Sequence, residues 1–179
     1  MDKMTITEAL SEINLIKKKA EKKTNAILAN LTKPKHLPDQ LESEGGSKQF
    51  LKQEIQALED LYNRQIKIKG SIGKANITNN ITINGKTQSI HDWLIWKRDI
   101  AQVQINFNTK VYTEVKKQIE QFQRQPQIYK DKDDKTQLLE IEPNVEYGEF
   151  LKKTEELQDV FDKLDGQLSL KNATIIIEI

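Results

Sequence analysis

The sequence predicts a mainly α protein with a small β element: an elongated antiparallel bundle of about four helices, carrying a β-hairpin and a C-terminal strand. Three observations lead to that expectation. Apolar residues recur at helical spacing along four stretches. An Asn-Gly pair separates two short β-prone runs near residue 84. The last residues, Asn172 to Ile179, are rich in β-branched side chains and too few to form a stable helix.

The first helix is expected from Thr5 to Leu31, where Ile6, Ile13, Ala20 and Ile27 recur every seven residues. Thr5 and Glu8 have capping-box spacing, at which hydroxyl and carboxylate each satisfy a free backbone N–H. Lys33-Pro34 and Leu37-Pro38 stop the helix. A polar link with Gly45-Gly46 leads to a second stripe, Leu51, Ile55, Leu58, Leu61/Tyr62 and Ile66, so residues 1–70 read as an antiparallel helical hairpin. Gly70 and Gly73 are expected to end it. Residues 76–88 then form the β-hairpin, with Ile81-Thr82-Ile83 and Lys86-Thr87-Gln88 around a type I′ turn at Asn84-Gly85.

Ser89, with Asp92 three residues on, reads as the N-cap of a long helix over 89–125. Its apolar positions run from Ile90 through Trp93/Leu94, Ile100, Val103, Phe107, Val111, Val115 and Ile119 to Phe122, and Pro126 ends it. Such a helix spans about 50 Å, whereas a compact domain of this length measures roughly 40 Å across; the elongated expectation comes from that mismatch. Residues 126–143 read as a loop, with a short strand near Gln137 to Ile141. A fourth helix follows over 144–166, stopped at Gly166. Residues 172–179 are the terminal strand, expected to pair either with the hairpin near Ile81 or with another chain, since an unpaired apolar edge invites aggregation. The whole, 1–179, reads as a single helical domain.

Composition narrows the chemistry. The 179 residues carry 28 Lys+Arg against 27 Asp+Glu, and the hydrophobic share is 36%. Near-neutral charge gives no broad attraction to nucleic acid or an anionic membrane. Of the basic residues only Arg64, Arg98 and Arg124 have the planar fork suited to reading phosphates or bases, so no sequence-specific nucleic-acid partner is expected. The absence of cysteine removes disulfides, thiol nucleophiles and thiolate metal sites. No signal-peptide pattern opens the chain and no window resembles a membrane span, so the expected location is a virion or the cytoplasm.

Each motif with a chemical flavour has a plainer explanation. Gly70-Ser71-Ile72-Gly73-Lys74 lacks the spacing of a phosphate loop and the hydroxyl after its lysine, because Ala75 stands there. Asp131, Asp133 and Glu142 fit places of a calcium-loop register, but Lys135 and Thr136 occupy positions needing a ligand and a glycine. His91 and Asp92 have no activated nucleophile nearby in sequence. The run Lys17, Lys18, Lys19, Lys22 and Lys23 is interleaved with Glu21 and reads as a solvated helix face. The sequons at Asn30, Asn76, Asn80 and Asn172 are read as unmodified. The expectation is therefore no enzyme, no cofactor and no metal.

Two features point to partners instead. Trp93 and Trp96 lie three apart, and tryptophan is enriched at binding hot spots. Ile175, Ile176, Ile177 and Ile179 form an apolar strand suited to strand addition, where main-chain hydrogen bonds give affinity and alternate side chains fill pockets. These six residues are the candidate protein interface.

Several short motifs occur in an order similar to septicolysin-like bacterial proteins: Thr7-Glu8-Ala9-Leu10, Asn76-Ile77-Thr78, Asn84-Gly85-Lys86-Thr87, Ile90-His91-Asp92-Trp93-Leu94 and Asn172-Ala173-Thr174. That resemblance implies long antiparallel helices with a small β element and a membrane-active or toxin-related role. The stretch Asp92 to Arg98 also resembles helical proteins of tailed-phage genomes, which implies a virion or assembly role. The Trp93/Trp96 pair departs from the Ala-rich helix start of the septicolysin-like group. The favoured expectation is a non-catalytic structural protein, a capsid, neck or tail-associated subunit, acting through coiled-coil-like helix packing and strand addition as a homo-oligomer or with other structural subunits. The alternative is the septicolysin-like role.

Overall fold

A computed structural model describes residues 2–130, 132–133 and 135–179, with Glu44 described by its backbone. The fold is mainly helical, with three two-stranded antiparallel sheets. The chain divides into two compact units where one domain was expected: one comprises the chain up to Asn79 together with Leu168–Ile179, the other Asn80–Gln167.

The first unit contains β1 (Lys3–Thr5), α1 (Ile6–Ala29), α2 (Ser47–Thr78) and β6 (Ile176–Glu178). Thr5 caps α1 with the predicted box: its hydroxyl accepts from the Glu8 N–H, and the Glu8 carboxylate accepts from the Thr5 N–H at 2.7 Å. These bonds hold the Glu8 carboxyl below its usual range, the Thr5 backbone contributing most. α1 and α2 pack antiparallel. Lys23 reaches Glu54 at 2.9 Å near one end, and Arg64 reaches Glu12 at 2.9 Å and Asp2 at 3.0 Å near the other. Between them lies the core: Ile6, Ala9, Ile13 and Ile16 of α1 against Ile68 and Ala75 of α2, with Ile177 of β6.

The terminal strand is the largest departure from the expected topology. β6 pairs with β1, as Lys3↔Glu178, Met4↔Ile177 and Thr5↔Ile176, and not with the hairpin near Ile81. The Ile6 N–H donates to the Ile175 carbonyl and the Ile179 N–H to the Asp2 carbonyl, extending the ladder at both ends. Alternation turns Ile177 inward and Ile176 outward. Three-residue β1 has no apolar run, and this hid it in the sequence.

Two helices outlast their expected stops. α2 continues through Gly70 and Gly73 to Thr78, and α5 (Tyr147–Thr174) continues through Gly166. Glycine weakens a helix interior without forbidding it. A Cβ built on Gly70 or Gly73 would meet nothing within 4 Å. Gly70→Ala and Gly73→Ala are each expected to stabilise the protein by about 0.5–1 kcal/mol, read as a higher thermal midpoint. A lower midpoint would contradict a helical backbone at these positions.

The connection between α1 and α2 is organised by Asp39. Its carboxylate accepts from Lys33 Nζ at 2.7 Å, from the Leu41 and Ser47 N–H groups at 3.1 and 3.0 Å, and from the Ser47 hydroxyl. Lys33 first, then Ser47 and Leu41, hold this carboxyl far below the usual carboxylate range. A depressed pKa stabilises the connection wherever the carboxylate is ionised, above the ordinary value, and the contribution is lost as pH falls toward the folded-state value. Amide exchange at Leu41 and Ser47 is therefore expected to stay protected between pH 5 and 8. Protection should fall on acidification below the usual carboxylate range, and Asp39→Ala should abolish it at pH 7.

The second unit begins with β2 (Asn80–Ile83) and β3 (Lys86–Ser89), paired in the predicted register about Asn84 and Gly85. Both turn residues have positive φ, 49° and 80°, as a type I′ turn requires. Ser89 then caps α3 (Ile90–Ile95) by accepting from the Asp92 N–H at 3.0 Å. A π-helical turn, Trp96–Ile100, joins α3 to α4 (Ala101–Arg124). In the expected loop, β4 (Ile128–Lys130) pairs with β5 (Thr136–Leu138) before α5 begins. No described helix is long and apolar enough to cross a membrane.

Candidate binding groove

The second unit carries a groove of about 820 Å³ between the hairpin, the π turn with α4, and α5. That volume lies within the ordinary range of binding sites. Local sequence explains each wall. The type I′ turn presents Asn84, whose amide donates to Asp159 Oδ2 at 3.1 Å and whose carbonyl accepts from Lys163 at 3.0 Å. Lys163 also binds Asp159 at 2.6 Å, so one triad ties the turn to α5. Lys163 and then Asn84 hold the Asp159 carboxyl below its usual range.

The π turn sets the second wall. The Ala101 N–H bonds back to the Trp96 carbonyl, five residues away, which places one extra residue in the turn. An insertion of this kind advances everything after it by about 100° around the axis. Trp96 and Gln104, eight apart in sequence, then share a face as residues two full turns apart do, and Trp96 Nε1–H donates to Gln104 Oε1 at 3.0 Å. Trp93 meets Trp96 edge to face, with ring centroids 5.6 Å apart.

Across the groove, α4 and α5 meet through side chains: Phe107 packs edge-on to Phe150 at 6.2 Å and Tyr112 lies 5.9 Å from Tyr147. Lys97 pairs with Asp165 and sits 5.0 Å over the Phe161 ring. The apolar lining is completed by Ile83, Leu157 and Val160.

The polar lining contains groups without partners. Asn108 is 8% exposed and lines the groove, and its amide is not one of the buried side-chain groups left without a partner. Lys86 lies 5.7 Å over the Trp93 ring and Lys153 lies 5.2 Å over Phe150, and neither has a carboxylate partner among the described residues. Glu156 is likewise unpaired there. The groove therefore offers aromatic walls, one floor amide and a small excess of positive charge. Among the described residues no group of three or more His, Asp or Glu is placed to hold a metal ion.

The candidate interface residues separate on inspection. Trp96 lines the groove, half-buried. Trp93 reaches the groove's wall but is only 2% exposed, because its indole N–H is committed to the Ile81 carbonyl at 3.0 Å. It is an anchor for the hairpin, a correction to its interface assignment. Ile177 is corrected in the same way, being buried in the core of the first unit with Ile175 and Ile179 packed against it. Ile176 alone of the four is exposed.

The other motifs are resolved locally. Gly70 to Lys74 lies inside helix α2, so it forms no loop to cradle a phosphate, and the Ser71 hydroxyl donates to the Glu178 carbonyl at 2.7 Å. His91 is exposed, and Asp92 accepts from the Ser89 hydroxyl at 2.7 Å. Asp131, the first place of the calcium-loop register, lies outside the described residues. Phe107, one of the apolar positions of the expected long helix, is 59% exposed. Asn108, Lys86 and Lys153 gave no sequence signal beyond an Asn interrupting a helix. Compared with known proteins, the chain matches no family model, no curated protein and no solved structure.

Proposed function

We propose that this chain is a non-catalytic assembly protein that works by packing helical surfaces against partner subunits. The observation that carries this reading is uncovered apolar surface. Large hydrophobic side chains that are exposed outnumber those that are buried among the described residues. Two separate compact globules sharing this mass would expose about 11,000 Å² between them by the scaling for folded monomers, whereas the chain exposes 13269 Å². The excess is of the order that a protein–protein interface removes from water. The resemblance of Asp92 to Arg98 to tailed-phage helical proteins supports a virion subunit as the specific form of the proposal.

Light scattering on a size-exclusion column tests it across a range of concentrations. A defined oligomer well above 20.7 kDa is expected; a monomer at every concentration would overturn self-assembly. The membrane-active alternative draws on resemblance alone, and co-sedimentation with anionic liposomes at low salt separates it.

A further inference from the structure

The groove of the second unit has features that helix packing alone does not require. Its volume of about 820 Å³ is that of a small-molecule site. One wall is held in place: the Trp96 indole N–H is tied to Gln104 Oε1 at 3.0 Å, and the π turn between them sets both on one face. Single π turns inside helices occur frequently at functional sites. Phe107, 59% exposed, gives the lining a second aromatic surface. Two rings of this kind suit a flat apolar body, which stacks offset or edge-on against them.

The charges specify the other end of the ligand. Cations beside the groove are neutralised, Lys163 by Asp159 at 2.6 Å and Lys97 by Asp165. Lys86 and Lys153 line the groove, and neither has a carboxylate partner among the described residues. Lys86 stands opposite Ile83 in the hairpin register and so shares its buried face, and each lysine lies over an aromatic ring. Glu156 is the one carboxylate of the described lining. Two ammonium groups and one carboxylate leave a surplus of one positive charge. Gln104 adds a donor, since Trp96 occupies its Oε1 and its NH2 group is open among the described residues.

We propose that this groove binds a small aromatic monoanion, of the class of aromatic carboxylates. The flat body lies against Trp96 and Phe107, and the anionic group lies between Lys86 of the hairpin and Lys153 of α5, with the Gln104 NH2 as donor. Glu156 repels a second negative charge, which sets a monoanion apart from a phosphate ester or a nucleotide. Every group involved lies in the second unit, and binding needs no partner subunit.

Fluorescence titration of the full chain tests this with two probes, anilinonaphthalene sulfonate and the neutral N-phenylnaphthylamine, which share an aromatic body and differ in the anionic group. One sulfonate is expected to bind per chain and to be displaced by naphthoate, its affinity falling as salt rises. Lys86→Gln and Lys153→Gln should each weaken the sulfonate about two- to fivefold and leave the neutral probe unchanged. Glu156→Gln, at an exposed position, should tighten the sulfonate by about the same factor. Trp96→Ala and Phe107→Ala should weaken both probes about tenfold, with unchanged helicity checked by circular dichroism. In the wild type, naphthoate should also shift the indole N–H resonance of Trp96, a readout that needs no variant. No saturable binding, or binding indifferent to all five substitutions, overturns the site. Weakening at the lysines alone means adsorption of an anion to surface charge and equally overturns it. Weakening at Trp96 and Phe107 alone leaves an apolar groove without anion selectivity and overturns the monoanion class.

Discussion

Replacing Trp93 with Ala is expected to lower the unfolding free energy by about 3–5 kcal/mol, the cost of removing a buried aromatic side chain. Three losses combine at this residue. The ring is 2% exposed, so its removal leaves a cavity under the hairpin. The Ile81 carbonyl loses the indole N–H that satisfies it at 3.0 Å. Trp96 loses its edge-to-face neighbour, and with it one support of the groove wall. Trp93→Phe keeps most of the apolar body but orphans the carbonyl, so a smaller cost of about 1–3 kcal/mol is expected. Urea denaturation followed by far-UV circular dichroism measures both. A loss under 1 kcal/mol for Trp93→Ala would show that the hairpin is not seated on this ring.

The second large effect is expected at the end of the chain. Ile177→Ala should cost about 2–4 kcal/mol, because this side chain, 4% exposed, closes the core between α1 and α2. Its neighbour Ile176 is 64% exposed, and Ile176→Ala should change stability by less than about 0.5 kcal/mol. The contrast between adjacent isoleucines measures the strand register, since a slip of one residue would exchange their faces. The reverse order of effects would overturn the pairing of Lys3–Thr5 with Ile176–Glu178.

What could be read in advance follows the range over which each feature is decided. The Thr5/Glu8 box, the Ser89 cap and the Asn84-Gly85 turn are settled within three or four residues, and the structure places all three as the sequence implies. The glycines at 70, 73 and 166 misled because helix continuation is decided by packing elsewhere along the helix, which outweighs about 1 kcal/mol of propensity at each position. The strand at Lys3–Thr5 was invisible because its partner lies at the other end of the sequence. The groove was half legible. The Trp93/Trp96 pair marked its location, but a periodic stripe does not distinguish buried Ile90 from exposed Val103 or Phe107. The π turn, which sets Trp96 and Gln104 on one face, has no signature in residue spacing.

The pairing of β1 with β6 also has a consequence for the order in which the protein folds. The second unit is one continuous stretch of chain, so its hairpin and helices can form as soon as they leave the ribosome. The first unit is discontinuous: α1 and α2 emerge early, but the strand that closes their core is synthesised after everything between. Until Ile177 arrives, Ile6, Ala9 and Ile68 belong to an unfinished core. Closing it brings together parts of the chain far apart in sequence, and loop-closure entropy disfavours forming that contact early. The expected order is therefore a folded insert before a closed helical hairpin, an interval in which other chains can compete for the open core.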